Sequence, residues 1–337
     1  MKQSSRERES FLAIIDLYSS RKIAVVGDLI ADEFLHGQIS RVSREAPVLV
    51  LEYRDLVRLP GGAANAANNL LDLGCKVKVV AAVGRDEPGR QLVELLGRKG
   101  ADVLGIATVR DYATPVKTRI LAGAHHSAPQ QVVRVDRAAH LEAGLPVSRA
   151  ELRTALRGSD GIIISDYGYG AIDGLTIDCL KEAAGKTNIP LVVDTRFRVS
   201  EFQGVTAITP NITELEASKR ISIGTDTNLL HGIGQETLRR QKLRYLLVTQ
   251  GRFGMTLFQK RAAPIHIPIY GSDEVADVTG AGDTVIAVFT ASLACGASAE
   301  QAARLANYAG GIVVMKRGTA TVTHEELRAA VCRDLSG

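Results

Sequence analysis

The sequence predicts an α/β fold of three layers: a mostly parallel central sheet with helices on both faces and a small β-sheet lid, in one domain over residues 1 to 337. Three observations predict it. Short β-rich runs alternate with helical patterns along most of the chain, the signature of a parallel sheet covered on both faces. Two segments break that rhythm by alternating polar and apolar side chains at a period near two, as half-exposed antiparallel strands do. With 337 residues and 45% apolar content the chain can bury one large core, and neither a repeat nor a low-complexity linker divides it.

The first buried strand is "KIAVVGD" (22 to 28), followed by the first polar–apolar excursion at 34 to 59 and a helix-like stretch at 62 to 73. "KVKVVAAVG" (76 to 84) and a helical pattern at 88 to 99 precede the second excursion, 112 to 135. Each excursion leaves the main rhythm between a sheet strand and the next core element, so the two together are expected to form the lid over the sheet's carboxyl edge. The strands "GIIISD" (161 to 166), "PLVVD" (190 to 194), "AITPN" (207 to 211) and "YLLVTQG" (245 to 251) then alternate with helices at 173 to 185, 212 to 219 and 226 to 241. The last third is helical, at 281 to 295, 299 to 315 and 323 to 333, the last opened by the capping pattern "THEE".

Composition narrows the function classes. The formal net charge of +4 is spread along the chain instead of gathered in a basic run, so nucleic acid is not the expected partner. Cys75, Cys179, Cys295 and Cys332 show neither C-x-x-C spacing nor a nearby histidine pair, and read as reduced core thiols. The N-terminus is too charged for a signal segment and no apolar run approaches the roughly 18 residues of a membrane helix. A soluble, cytoplasmic protein without a membrane partner is expected.

The stretch "ADVTGAGDTVIAVF" (276 to 289) carries the chemistry. A turn at Gly280, Ala281 and Gly282 leads into an apolar helix, and successive backbone amides joined to the positive end of a helix make an anion site. Asp283 beside that site suits phosphoryl transfer: the amides take developing negative charge while the carboxylate takes a hydroxyl proton. Those amides are expected to lower its pKa. The plain alternative is an aspartate capping a helix after a glycine turn. Two lures fall away. "GKT" (185 to 187) has Leu180 where a P-loop needs its first glycine, and "GYGAIDG" (168 to 174) has the wrong spacing for a dinucleotide fingerprint.

"DVTGAGDT" resembles the signature of the ribokinase-like (PfkB) carbohydrate kinases; "PGGAANAANNLLDLG" (60 to 74) is similar to their diglycine element and "TPNITELE" (209 to 216) to their N-x-x-E element. The resemblance covers nearly the whole chain and implies a ribokinase-like fold and an ATP-dependent sugar kinase. It assigns Asp283 as base and the amides of Gly280, Ala281 and Gly282 as anion hole. It places Asn211 and Glu214 around magnesium and the nucleotide phosphates, and Asp277 and Thr279 at a monovalent cation such as potassium. Thr249 and Gly251 in "VTQGRFG" lie along the nucleotide, and Asn307 borders the adenine, with a solvent-facing helix asparagine as the plain alternative. For the sugar it implies Asp32, with Asp28 a weaker candidate, and Gly61, Gly62 and Asn65. Relatives of this kind often pair through their lids, so a homodimer is expected.

Within that family, "GQISRVSREAPVLVLE" (37 to 52), "VKTRILA" (116 to 122), "QVVRVD" (131 to 136) and "GTATVTHEEL" (318 to 327) are similar to segments of the D-glycero-D-manno-heptose 7-phosphate kinases, without a fused nucleotidyltransferase. A phosphorylated acceptor needs a cationic clamp, for which the lid segments offer Arg41, Arg44, Lys117, Arg119 and Arg134. The chain departs from the heptose pattern at Tyr169, where a lysine is usual, and at Thr195 and Arg196, where Pro-Lys is usual. A kinase for another sugar or sugar phosphate is therefore the alternative; a catalytically silent sugar or nucleotide sensor and a nicotinamide oxidoreductase are the readings of other classes.

Overall fold

The computed structural model describes residues 2–123, 129–271 and 276–335. Part of the predicted lid segment, 124 to 128, lies outside them. In chain order the elements begin with α1 (Lys2–Asp16), β1 (Lys22–Gly27), β2 (Leu29–Val42), β3 (Leu49–Gly62), α2 (Ala63–Asp72), β4 (Lys76–Gly84), α3 (Glu87–Arg98) and β5 (Asp102–Val109). β6 (Val116–Gly123), β7 (Gln130–Arg137), α4 (Arg149–Leu156), β8 (Gly161–Asp166), α5 (Gly174–Thr187), β9 (Leu191–Thr195), β10 (Ala207–Ile208) and α6 (Ile212–Lys219) follow. The chain closes with α7 (Thr227–Arg240), β11 (Tyr245–Thr249), β12 (Met255–Gln259), β13 (Ile265–Ile267), α8 (Ala281–Ala294), α9 (Ala299–Val313) and α10 (His324–Asp334).

Among the described residues the main sheet has the order β13-β12-β11-β10-β9-β8-β1-β4-β5. It is parallel from β11 to β5, and β12 and β13 add an antiparallel edge. Alternate residues of β1 feed two cores: Ile23 and Val25 join the layer containing α2, α8, α9 and α10, while Ala24 and Val26 join the layer of α4, α5 and α7. Strand order reverses between β1 and β8, the place where open α/β sheets bind ligands beyond their carboxyl ends. Asp28, Asp166 and Asp194 stand at that edge, at or just after the ends of β1, β8 and β9.

The lid is the second sheet, ordered β3-β2-β6-β7, with β2 and β6 parallel and both outer pairs antiparallel. It is longer than the period-two pattern indicated. β2 and β3 run from Leu29 to Gly62 almost continuously, so Asp32, Gly61 and Gly62 belong to the lid's root. The sequence pattern missed α1, β5, α4 and the antiparallel edge, and overran β10, which ends at Ile208. β5 hides its period because Gly105 packs against the Val79 carbonyl while Leu104 is exposed. Two of the cysteines expected in the core, Cys75 and Cys179, are buried, whereas Cys295 and Cys332 are only partly so. No helix among the described residues is long and apolar enough to cross a membrane.

Candidate active site

The glycine turn is shaped by what surrounds it. Gly280 adopts a left-handed φ of 79° as the residue before α8, and a Cβ there would lie 2.4 Å from Asn65 Nδ2 and 2.8 Å from Thr319 Cγ2. Only glycine fits. Asp283 sits in the first turn of α8 with 3% exposure. It is not the N-cap, since that position is Gly280, so the capping alternative does not hold. Asn65 Nδ2 donates to Oδ2 at 2.9 Å and the Tyr167 hydroxyl donates to Oδ1 at 2.9 Å.

Burial pushes the Asp283 carboxyl up to about 7, against the lowering influence of the Asn65 and Tyr167 hydrogen bonds, with Asp32 adding to the rise and Lys117 opposing it. The expectation of a lowered pKa is thereby corrected. Desolvation of a buried carboxylate outweighs its donors, and the result suits a base working near neutrality. Asn65, expected at the sugar, is engaged with Asp283 and with the Gly280 carbonyl (3.3 Å), and its helix is pinned by Asn69, which also accepts from Thr284 at 3.0 Å.

Tyr167 is carried by a loop that two buried carboxylates organise. Asp28 accepts the amides of Tyr167 (2.8 Å), Tyr169 (3.2 Å) and Ala171 (3.1 Å), so both of its oxygens serve the loop. The weaker of the two sugar candidates is thus 2% exposed and engaged by the loop. Asp166 is bound by Arg198 through Nε at 3.0 Å and Nη2 at 2.8 Å, and by the Thr195 hydroxyl at 2.7 Å. Thr195 and Arg198 therefore lock the loop from the β9 side.

The lid brings Asp32 and Lys117 to the same place. Asp32 is 4% exposed and accepts from Arg119 Nη1 at 2.5 Å. Burial raises its pKa even so, with Arg119 and Lys117 pulling the other way. Gly61 is small because a Cβ there would lie 2.3 Å from Asp32 Oδ2. Gly62 turns the chain into α2 with a φ of 56°. Lys117 Nζ lies 4.6 Å from the centroid of the Tyr167 ring. The expected clamp is only partly assembled: Arg134 pairs with Asp136 at 2.8 Å in the open, and Arg41 and Arg44 lie exposed toward the lid's far end. Arg119 instead walls a cavity of about 490 Å³ between lid and main domain, with His36, Phe34, Asp277, Arg317 and Gly318.

On the other side of the turn, Thr249, Gly251, Ala281, Gly282 and Asn307 share the lining of a cavity of about 150 Å³. Asn307 is buried and donates to the Pro268 carbonyl at 2.8 Å, so it does not face solvent. Asn211 and Glu214 form a reciprocal capping box at the start of α6, with bonds of 2.8 and 2.9 Å. Burial raises the Glu214 pKa, and Asp194 is raised well above the ordinary range by burial and then by Glu214, Asp283 and Asp166. Arg196 opposes both shifts. Asp277 accepts the amides of Thr279 (2.9 Å) and Gly318 (3.0 Å), tying the glycine turn to the loop before α10.

Sequence reasoning missed Tyr167, Asp194 and Arg198. All three lie at or just beyond the carboxyl ends of β8 and β9, so a polar side chain leaving a predicted parallel strand was the available signal.

Comparison with known proteins adds an independent line. Residues 20–326 match the model of the pfkB family carbohydrate kinases. A protein of Pelobacter propionicus named Bifunctional protein HldE is 40% identical over 330 residues, covering 96% of this chain and 66% of the relative. The protein of the same name from Ectopseudomonas mendocina is 38% identical over 318 residues, covering 94% and 65%. The chain thus spans slightly under two thirds of the length of these relatives. Among solved structures, Arabidopsis thaliana ribokinase complexed with ribose and ATP superposes with a TM-score of 0.73 at 20% identity, covering 94% of this chain and 99% of that one. Escherichia coli phosphofructokinase-2 in complex with potassium gives 0.71 at 20% identity, with the same coverage of 94% and 99%. At such identity these two speak for the fold alone.

Proposed function

Since the chain belongs to the pfkB family of carbohydrate kinases, we propose that it transfers the γ-phosphate of ATP to a sugar phosphate, D-glycero-D-manno-heptose 7-phosphate at its anomeric hydroxyl. The observation that carries the transfer is the buried Asp283, held at both oxygens beside the helix-start amides, with its pKa pushed up to about 7. The acceptor hydroxyl gives its proton to Asp283 as it attacks, and the amides of Gly280 and Gly282 receive the charge that develops on the phosphoryl oxygens, joined by that of Ala281 once it leaves the Val278 carbonyl, to which it donates at 3.3 Å. Asp32, fixed by Arg119, grips sugar hydroxyls from the lid root. ATP lies along Thr249, Gly251 and Asn307. The heptose assignment is supported by the segment resemblance, by the relatives named HldE, and by Arg119 and Arg317 on the larger cavity, which suit a substrate already carrying a phosphate.

Magnesium fits this edge of the sheet. Burial raises both Asp194 and Glu214, and Glu214 adds to the rise at Asp194, so a cation near them relieves like-charge repulsion. Asn211 and Glu214 already hold each other in the capping box, which suits an ion that keeps most of its waters beside them. When bound, it neutralises charge on the β- and γ-phosphates. Asp277 and Thr279 are the proposed seat of a monovalent cation. Asp277 is already oriented there by two amides.

Coupled ADP release with Mg-ATP and potassium tests the reading over heptose 7-phosphate, sedoheptulose 7-phosphate, ribose, fructose and fructose 6-phosphate. Turnover with the heptose phosphate alone is expected. Turnover with another sugar would keep the mechanism, discard the acceptor and give weight to Tyr169 and Arg196 as its selectors. Because the base must be ionised, kcat/KM should rise with pH through an acid limb near 7. A limb near pH 4 would remove Asp283 from the role.

A homodimer is part of the proposal. The cross-strand row Leu56, Leu35, Ile120, Val133 lies on the lid face opposite Asp32, and Leu56 and Val133 are 40% and 48% exposed. Light scattering should give a particle of twice 36.0 kDa; one at the monomer mass overturns the dimer.

A further inference from the structure

We propose that Tyr167 is a positioning residue for the base: its hydroxyl fixes the Asp283 carboxylate for proton transfer, and the lid supports that contact through Lys117. The inference rests on Asp283 being the base. A carboxylate with one donor on each oxygen cannot rotate freely. Asn65 on Oδ2 and Tyr167 on Oδ1 supply those donors from different elements, α2 and the loop after β8. Tyr167 is itself anchored, because its amide donates to the buried Asp28 at 2.8 Å. Its ring faces the Lys117 ammonium at 4.6 Å, a cation–π contact that joins β6 of the lid to the main domain. The hydroxyl belongs to the site and the ring to the lid contact, so one side chain links the lid to the orientation of the base.

The charged and titratable groups acting on Asp283 or acted on by it are Asp32 from β2, Lys117 from β6, Tyr167 after β8 and Asp194 in β9. Of these Tyr167 alone hydrogen-bonds to the carboxylate. Tyr167→Phe keeps the ring against Lys117 and deletes the donor. An ionised carboxylate that loses a donor binds its proton more tightly, so the acid limb of kcat/KM should move upward by roughly one pH unit. Turnover at about pH 6.5 should fall roughly five- to tenfold, recovering to within about threefold of wild type near pH 9, with the KM for ATP unchanged. A purely structural role would lower activity equally at all pH without moving the limb, and that result overturns the inference.

A second measurement needs neither the variant nor turnover. In wild-type protein labelled at the tyrosine 13Cζ, one resonance should follow a midpoint near 7, and that midpoint should vanish in Asp283→Asn. Absence of any tyrosine signal with that midpoint also overturns the inference. If wild type turns over no acceptor while the resonance titrates as expected, the acceptor assignment fails and the Tyr167 contact stands.

Discussion

Asp283→Asn is expected to lower turnover by roughly 10²- to 10⁴-fold while nucleotide binding remains. The carboxylate is buried with a donor on each oxygen, and an amide can accept at only one of those positions and cannot take the acceptor's proton. The proposed nucleotide residues Thr249, Gly251 and Asn307 line a cavity on the other side of the turn, so calorimetric ATP binding should stay within about threefold of wild type. Near-normal turnover would dismiss Asp283 as the base.

Asp28→Ala should have the second large effect, on stability and activity together. Three amides, those of Tyr167, Tyr169 and Ala171, lose their acceptor at once. A buried donor left unpaired costs about 1–3 kcal/mol, and removing a buried charge returns part of that, so a net loss of about 2–4 kcal/mol is expected. Chemical denaturation measures it. Turnover should fall by at least about tenfold as well, because the same loop carries Tyr167 to the base. An unchanged denaturation midpoint would mean that the loop holds its shape without Asp28.

These two residues also show what sequence could and could not reveal. Asp283 was legible because its neighbours are unusual: a Gly-Ala-Gly turn before an apolar helix announces an anion site whatever the rest of the fold does. Its protonation was not legible, because it is set by burial in the folded chain against the Asn65 and Tyr167 donors, with Asp32 and Lys117 of the lid, all distant in sequence. Asp28 was the weaker sugar candidate, four residues before Asp32 in "GDLIADEF". That its oxygens face inward toward the next strand's loop is decided by pairing of β1 with β8, which no local pattern encodes.

Apart from α1, β5, α4 and the antiparallel edge, the strands and helices of the main domain followed from apolar period and capping, often to within one or two residues, as β4 and α6 show. The lid's period of two was equally plain. Its register was not, and register is what places Asp32 beside Lys117 and sets Arg119 one cross-strand step away from Arg134. The clamp therefore could not be assembled from composition. Arg119 proved to pair with Asp32 while still lining the larger cavity, and Arg134 to pair with Asp136 in the open.

The central claim is transfer of a phosphoryl group to a sugar-phosphate hydroxyl under Asp283. Phosphorus NMR of protein incubated with Mg-ATP and D-glycero-D-manno-heptose 7-phosphate reads it most directly. A second phosphomonoester resonance coupled to the anomeric proton should grow in step with ADP and be lost in Asp283→Asn. ADP appearing with inorganic phosphate alone, or no new phosphoester, would contradict the account.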